Sequence, residues 1–239
     1  MKKNCSQFAL VVMLFILPSL LIAQHFTTGL NFTLGKPQGD FEKNIDRNGY
    51  GGSLFFMGHL PNSPFAAGVE IGILNYGHES RDEPFSTTIP DVTVQVNTDN
   101  NAVLSSLFLR LQPQHGFFRP YVAGSIGFSY FYTETSIKDD DFDDMEDIAS
   151  TTNFDDFTFS YGGDFGTSVL LYSGSMNKNA EYQRPMEILF DFKARYLNSG
   201  EAEYLKQGSI RRENGKVTFD VNRSRTEMIT YHFGFVFRF

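Results

Sequence analysis

Nine ionisable residues stand at alternate positions beside large apolar ones: Glu70, Arg110, Asp164, Glu187, Asp191, Lys193, Arg195, His232 and Arg238. The run MEILFDFKARY, residues 186–196, shows the pattern best, with Glu187, Asp191, Lys193 and Arg195 on one parity and Ile188, Phe190, Phe192 and Tyr196 on the other. Carboxylates and cations sharing one face can line a pore and select ions. They can also pair with each other and fill an interior, because charges in a poorly hydrated space must be partnered. The set holds four acids (Glu70, Asp164, Glu187, Asp191) and four bases (Arg110, Lys193, Arg195, Arg238). That balance favours mutual pairing, with His232 a partner for a carboxylate and not a general base.

Other chemistry is weaker. The acidic run KDDDFDDMED, Lys138 to Asp147, could attract calcium, but it lacks the sixth-position Gly and twelfth-position Glu of an EF-hand loop and reads as a solvated surface segment. His78, Glu79 and Ser80 are neighbours in sequence, which is not the geometry of a catalytic triad. The five histidines are scattered, and no GxSxG, HExxH or phosphate-binding Gly-rich motif is present. Cys5 is the sole cysteine. No catalytic, cofactor or metal site is expected.

The elements that must position the charged face are strands. Period-2 alternation recurs about eight times, over roughly 26–35, 50–60, 65–75, 102–112, 120–132, 157–171, 186–196 and 228–239. One parity carries rings and branched residues, such as Phe65, Ala67, Val69, Ile71 and Ile73. The other is small or polar, such as Ser160, Gly162, Asp164, Gly166 and Ser168. No convincing 3.6-residue periodicity appears after residue 24. Connections after the first, third, fifth and seventh segments are long and polar, roughly 12 to 30 residues, those after the second and fourth are only a few, and the one after the sixth, SGSMNKNAEYQRP, is intermediate and fits the alternation less well. Long loops therefore gather at one end and short turns at the other, as in a membrane barrel.

A soluble barrel would put the apolar face inside. An eight-stranded interior is only wide enough for a layer of side chains or one small ligand, and the aromatic sets would overfill it. Segments near 9–11 residues also match tilted membrane strands. The expected fold is an all-β, eight-stranded antiparallel up-and-down transmembrane β-barrel over residues 25–239. Tyr50, Tyr76, Tyr130, Tyr132, Tyr196 and Tyr231 are expected as interfacial anchors at the rims or within the apolar band.

Residues 1–24 have the form of a cleaved signal peptide. Lys2 and Lys3 precede the apolar run Phe8–Leu17, and Ala23 suits a cleavage site. Losing the two lysines takes the formal charge from −8 to −10, a poor match for nucleic acid.

The ending YHFGFVFRF places Tyr231, Phe233, Phe235, Phe237 and Phe239 on one face. Its last eight residues resemble the C-terminal assembly signal of Gram-negative outer-membrane barrels, with His232, Gly234, Phe237 and Phe239 at the matching positions. The whole chain after residue 24 resembles small outer-membrane β-barrel proteins in the porin-like or PorT-like sense. That resemblance implies an outer-membrane location, contact with outer-membrane lipid and transient handling by the barrel-assembly machinery. The function expected is non-catalytic: a barrel with a largely plugged polar lumen, acting through acidic surface loops or as a structural element. A narrow passive channel and an acyl-processing enzyme are the alternatives.

Overall fold

The computed structural model describes residues 25–86, 89–139, 149–175, 185–213 and 216–239. The expected signal segment and most of the acidic run 138–147 lie outside them. Twelve strands follow in order: β1 (His25–Pro37), β2 (Gly49–His59), β3 (Phe65–Ser86), β4 (Ile89–Leu111), β5 (Phe118–Asp139), β6 (Ala149–Ser175), β7 (Pro185–Ser199), β8 (Glu201–Tyr204), β9 (Ile210–Glu213), β10 (Lys216–Phe219), β11 (Asn222–Arg225) and β12 (Met228–Arg238). Eight of them form a closed antiparallel barrel in the order β1-β12-β7-β6-β5-β4-β3-β2. The remaining four make two short hairpin sheets, β8 with β11 and β9 with β10, between β7 and β12.

Closure removes the free edge that five alternate rings would otherwise leave open. β12 pairs with β1 from Thr27↔Arg238 to Pro37↔Met228. The amide of Phe26 donates to the Phe239 carbonyl at 3.2 Å, and the amide of Phe239 returns a bond to Phe26 at 2.9 Å. Gly234 lies where β12 packs closely on β1. A Cβ there would overlap the Leu30 carbonyl and the Asn31 side chain, so this position in the tail has a packing reason of its own.

Alternation sorts the two faces. Leu30, Ile71, Ile126, Phe157, Phe165 and Phe235 are exposed on the outer wall, whereas Thr33, Ser129, Ser160, Lys193 and Thr230 are buried within it. This inverts a soluble barrel: the apolar band is outside.

The long connections do fall at one end, but three of them are partly strand. β3, β4, β5 and β6 run 22, 23, 22 and 27 residues, against 13, 11, 15 and 11 for β1, β2, β7 and β12. Residues 76–86 and 89–100, which the sequence pattern leaves as loop, continue the β3–β4 ladder past a register shift at Asn75/Gly77. Their side chains are mostly polar, so the apolar-polar alternation fades even though backbone pairing continues. A six-residue helix, α1 (Gly39–Asn44), occupies the β1–β2 connection. At under two turns it is too short to leave a 3.6-residue signature.

Candidate functional site: the filled lumen and its cap

The inward parity of each strand builds the lumen in layers, most legibly along β3, β7 and β12. From the short-turn end, β12 offers Arg238, Val236, Gly234, His232, Thr230 and Met228, and β7 offers Glu187, Leu189, Asp191, Lys193, Arg195 and Leu197. These residues face the same space because the antiparallel register sets them side by side, for example Arg238↔Glu187 and His232↔Lys193.

The central layer is ionic. Lys193 Nζ donates to Glu70 Oε2 at 2.6 Å, with both side chains almost wholly buried. Arg195 bridges two carboxylates. Its Nε and Nη2 reach Asp164 at 2.7 Å each, and its Nη1 reaches Glu70 Oε1 at 3.1 Å. Two acids and two bases thus neutralise each other in a fully hydrogen-bonded cluster, the condition under which buried charge is tolerated. His232 sits beside it, but its closest partners are hydroxyls: Thr33 at 3.0 Å and Ser53 at 3.2 Å on Nδ1, and Thr230 at 2.9 Å on Nε2. Glu70 Oε1 is 4.0 Å from Nδ1. The acid and the serine crowd the same nitrogen, so this is not a serine–histidine–acid relay, in which they occupy opposite nitrogens.

Toward the turns lies an apolar layer of Phe55, Met57, Ala66, Phe108, Leu189 and Val236. Arg110 is embedded there with no carboxylate paired to it among the described residues. Its guanidinium stands over Tyr121 at 3.9 Å, Phe55 at 5.2 Å and Phe108 at 5.3 Å, and its Nε and Nη1 have no hydrogen-bond partner among the described residues. Cation–π attraction replaces the ion pair. Asp191 is likewise held by hydroxyls, Tyr121 at 2.7 Å and Ser168 at 2.6 Å. At the turn end, Arg119 grips Glu187 with two bonds of 2.8 and 2.9 Å, and Arg238 adds a longer one at 3.4 Å.

At the loop end a second apolar cluster closes the mouth: Phe41, Ile45, Leu74, Tyr76, Phe131 and Tyr204 are among its buried members. Phe41 of α1 is fully buried and meets Tyr76, Phe131 and Tyr204 edge-to-face at 6.0, 5.7 and 5.0 Å. The β8–β11 segment is tied across the mouth. Gly200 N donates to Phe159 O at 3.0 Å, Tyr76 OH to Leu205 O at 3.3 Å, and Gly208 N to Glu79 at 2.8 Å. On the exposed surface of α1, Lys43 donates to Asp40 at 2.6 Å. This bond holds the Asp40 carboxyl below its ordinary range and the Lys43 ammonium above it.

All nine charged residues singled out from sequence face the lumen, but not as a single network. Glu70, Asp164, Lys193 and Arg195 form one cluster, Glu187 and Arg238 another with Arg119, and Arg110, Asp191 and His232 are satisfied mainly by rings and hydroxyls. Tyr76 is buried in the cap and is no rim anchor, because it keeps the inward parity of Glu70 and Leu74 along β3. Tyr50, Tyr130, Tyr196 and Tyr231 are exposed on the outer wall. His78 bonds Asp99 at 2.7 Å and Glu79 bonds Gly208, so the 78–80 triplet is split between two partners.

Sequence reasoning missed Arg119, Tyr121, Phe55 and Phe108. Arg119 and Tyr121 continue the parity of Ala123, Ser125 and Gly127 back to the start of β5, so extending that face would have found them. Phe55 lies in LFFM, where adjacent rings on opposite faces blur the alternation; only its pairing with Gly29 and Glu70 places it inside.

The lumen cavity beside Met57, His59, Arg119 and Arg238 measures only about 10 Å3. The larger grooves, of about 590 and 440 Å3, lie along the outer wall by Leu111, Val122 and Phe165 and by Phe165, Tyr196 and Tyr231.

No family model matches the chain, and no curated protein matches it. Among solved structures, the chain is similar to the attachment invasion locus protein Ail of Yersinia pestis, at 13% identity over 90% of this chain and 98% of that one, with a TM-score of 0.42. It is also similar to the outer membrane protein OprG from Pseudomonas aeruginosa, at 17% identity over 91% and 96%, TM-score 0.41. A major outer membrane protein from Thermus thermophilus gives 10% identity over 90% and 99%, TM-score 0.44. Likeness this loose carries no argument about what the chain does.

Proposed function

We propose that this chain is an outer-membrane β-barrel whose lumen is plugged by its own side chains, and that it works through its loop-end wall and cap without catalysis. The observation that carries the reading is the inversion of the barrel. The exposed aromatic band suits acyl chains as its solvent, while the interior is filled by a paired ionic layer between two apolar layers. A continuous water path would require Phe41 to leave the cap, Phe55 and Phe108 to leave the turn-side layer, and the Glu70–Lys193 contact to open.

The supposed location agrees with the leader-like first 24 residues and the tail His232, Gly234, Phe237 and Phe239, which we take as an assembly signal read by the barrel-assembly machinery. Planar-bilayer recording on the refolded protein tests the plug. The expected result is no reproducible conductance steps, and steady single-channel steps would instead establish the passive channel. Gel migration with and without boiling tests the barrel in the same preparation, with a heat-shifted band expected. Unchanged lipid A species in a deletion strain would count against acyl-processing activity.

A further inference from the structure

The outer wall is a band of rings and branched side chains, and one place in it is bare. Gly124 on β5 pairs with Gly163 on β6, and Ala194 on β7 stands opposite Phe165, the next outward residue of β6. A Cβ at Gly124 or Gly163 would meet nothing within 4 Å, so both glycines face open space. Ile126, Tyr161, Phe165 and Tyr196 stand exposed around them. The result is the outer-wall groove of about 440 Å3, with Gly163 and Ala194 on its floor and Phe165, Tyr196, Ile229 and Tyr231 beside it. It lies toward the loop end, because the β6–β7 ladder stops three residues beyond Gly163, at Ser160↔Ser199.

The rim of the groove at that end carries a cation. Ile229 pairs with Tyr196 on one side and with Lys36 of β1 on the other, so Lys36 shares the outward row of the groove at the spacing of directly opposed residues. It keeps the exposed parity of Phe32 and Leu34 and has no ion-pair partner among the described residues. Arg225 lies on the same rim, its side chain 59% exposed and its Nη1 3.8 Å from Glu227 Oε1. The acids around them are engaged: Glu227 accepts the Tyr196 hydroxyl at 3.0 Å, Asp40 pairs with Lys43 at 2.6 Å and Glu201 with Arg223 at 3.0 Å. Glu203 is opposite Arg223, two residues further from the barrel along β11. The larger groove by Leu111 and Val122 has no charged residue along it among the described residues.

We infer that this groove seats one lipid A molecule, the phosphorylated and acylated glycolipid of the outer leaflet, with an acyl chain over Gly163 and Ala194 and a phosphate at Lys36 and Arg225. The groove is continuous with the exposed aromatic band, so its occupant comes from the bilayer that the band faces. An acyl chain is thin enough to enter a slot between rings, and its contacts with Phe165, Tyr196 and Tyr231 replace those with neighbouring chains. Cations at this level attract anionic headgroups, and Lys36 lacks a counter-charge that a phosphate supplies. Tyr196 stands where chain meets headgroup, its ring on the groove and its hydroxyl on Glu227, as an interfacial tyrosine does. The inference rests on the outer-membrane reading, which puts the loop end in the outer leaflet.

The test uses the full refolded chain in detergent. Bound lipid is counted by native mass spectrometry as lipid A, dephosphorylated lipid A or phosphatidylglycerol is titrated in. The expected result is one lipid A per barrel at saturation, with weaker retention of the other two. Lys36→Gln and Arg225→Gln should each weaken lipid A binding about fivefold and leave the dephosphorylated lipid unaffected. Gly163→Leu fills the slot from its floor and should lose the bound lipid A while keeping a heat-shifted band. Lipid A bound without a fixed stoichiometry, or equally by the parent and all three variants, would mean general contact with surrounding lipid and overturn the seat. Equal affinity for phosphatidylglycerol would overturn the assignment to lipid A. The comparison of the three lipids uses the parent chain and decides the matter even if Gly163→Leu does not fold. A parent chain without a heat-shifted band fails as an outer-membrane barrel, whereas a shifted band without a single bound lipid A fails only the seat.

Discussion

Replacing Glu70 by Gln is the sharpest perturbation of the lumen. It keeps the side chain's shape and removes one charge. Arg195 retains Asp164 through its two 2.7 Å bonds, but Lys193, which is 0% exposed, loses the carboxylate at 2.6 Å. An uncompensated buried charge of this kind costs about 3–5 kcal/mol, or roughly a hundredfold to several thousandfold in the unfolding equilibrium at about 1.4 kcal/mol per tenfold. The double variant Glu70→Met with Lys193→Met removes both charges and leaves the Arg195–Asp164 pair. It should fall within about 1–2 kcal/mol of the parent, because desolvation and attraction nearly cancel for a complete buried pair. Urea titration in lipid vesicles, with the folded fraction read from the heat-sensitive gel band, measures both. If Glu70→Gln costs less than about 1 kcal/mol, Lys193 is being solvated in place. That result would mean a hydrated lumen, and the plug proposal would fail with the energetic argument.

Four further outcomes follow from the same layers. Phe55→Ala should cost about 3–5 kcal/mol through the cavity it leaves, whereas Arg110→Met, which removes a cation with no carboxylate, should be within about 1.5 kcal/mol of the parent by the same titration. Phe41→Ala should leave the barrel band heat-shifted but speed proteolysis within residues 200–227, because Phe41 is the ring that Tyr204 packs against; unchanged cleavage would detach α1 from the cap. Phe235→Arg on the outer wall should cost about 2–4 kcal/mol in bilayers, and a neutral result would argue against lipid contact there. Gly163→Leu should be tolerated, since nothing lies within 4 Å of a Cβ at that site, while Gly234→Val should abolish the heat-shifted band.

Much of this protein is set by two-residue periodicity alone. In a strand, successive side chains must point to opposite faces. Placing Phe233 on one side and His232 on the other therefore needed no fold, and the same holds for Phe190 against Asp191. The number of barrel strands, the inverted faces and the end at which the long connections gather all follow from that local rule and from connection length, whereas the short strands β8–β11 do not. Partner choice does not. Glu70 and Lys193 are 123 residues apart; they meet because closure and stagger of the sheet bring inward positions of β3 and β7 to one level. Only that three-dimensional register decides that Arg195 bridges two acids while Arg110 has rings in place of a carboxylate. The cap escaped sequence reading for a different reason. Phe41 lies in a helix too short to be periodic, Tyr76 lies just past the clearly alternating stretch of β3, and Tyr204 is in a four-residue strand. Their common burial comes from packing across the mouth, a constraint that acts between distant segments and leaves no repeat in any one of them.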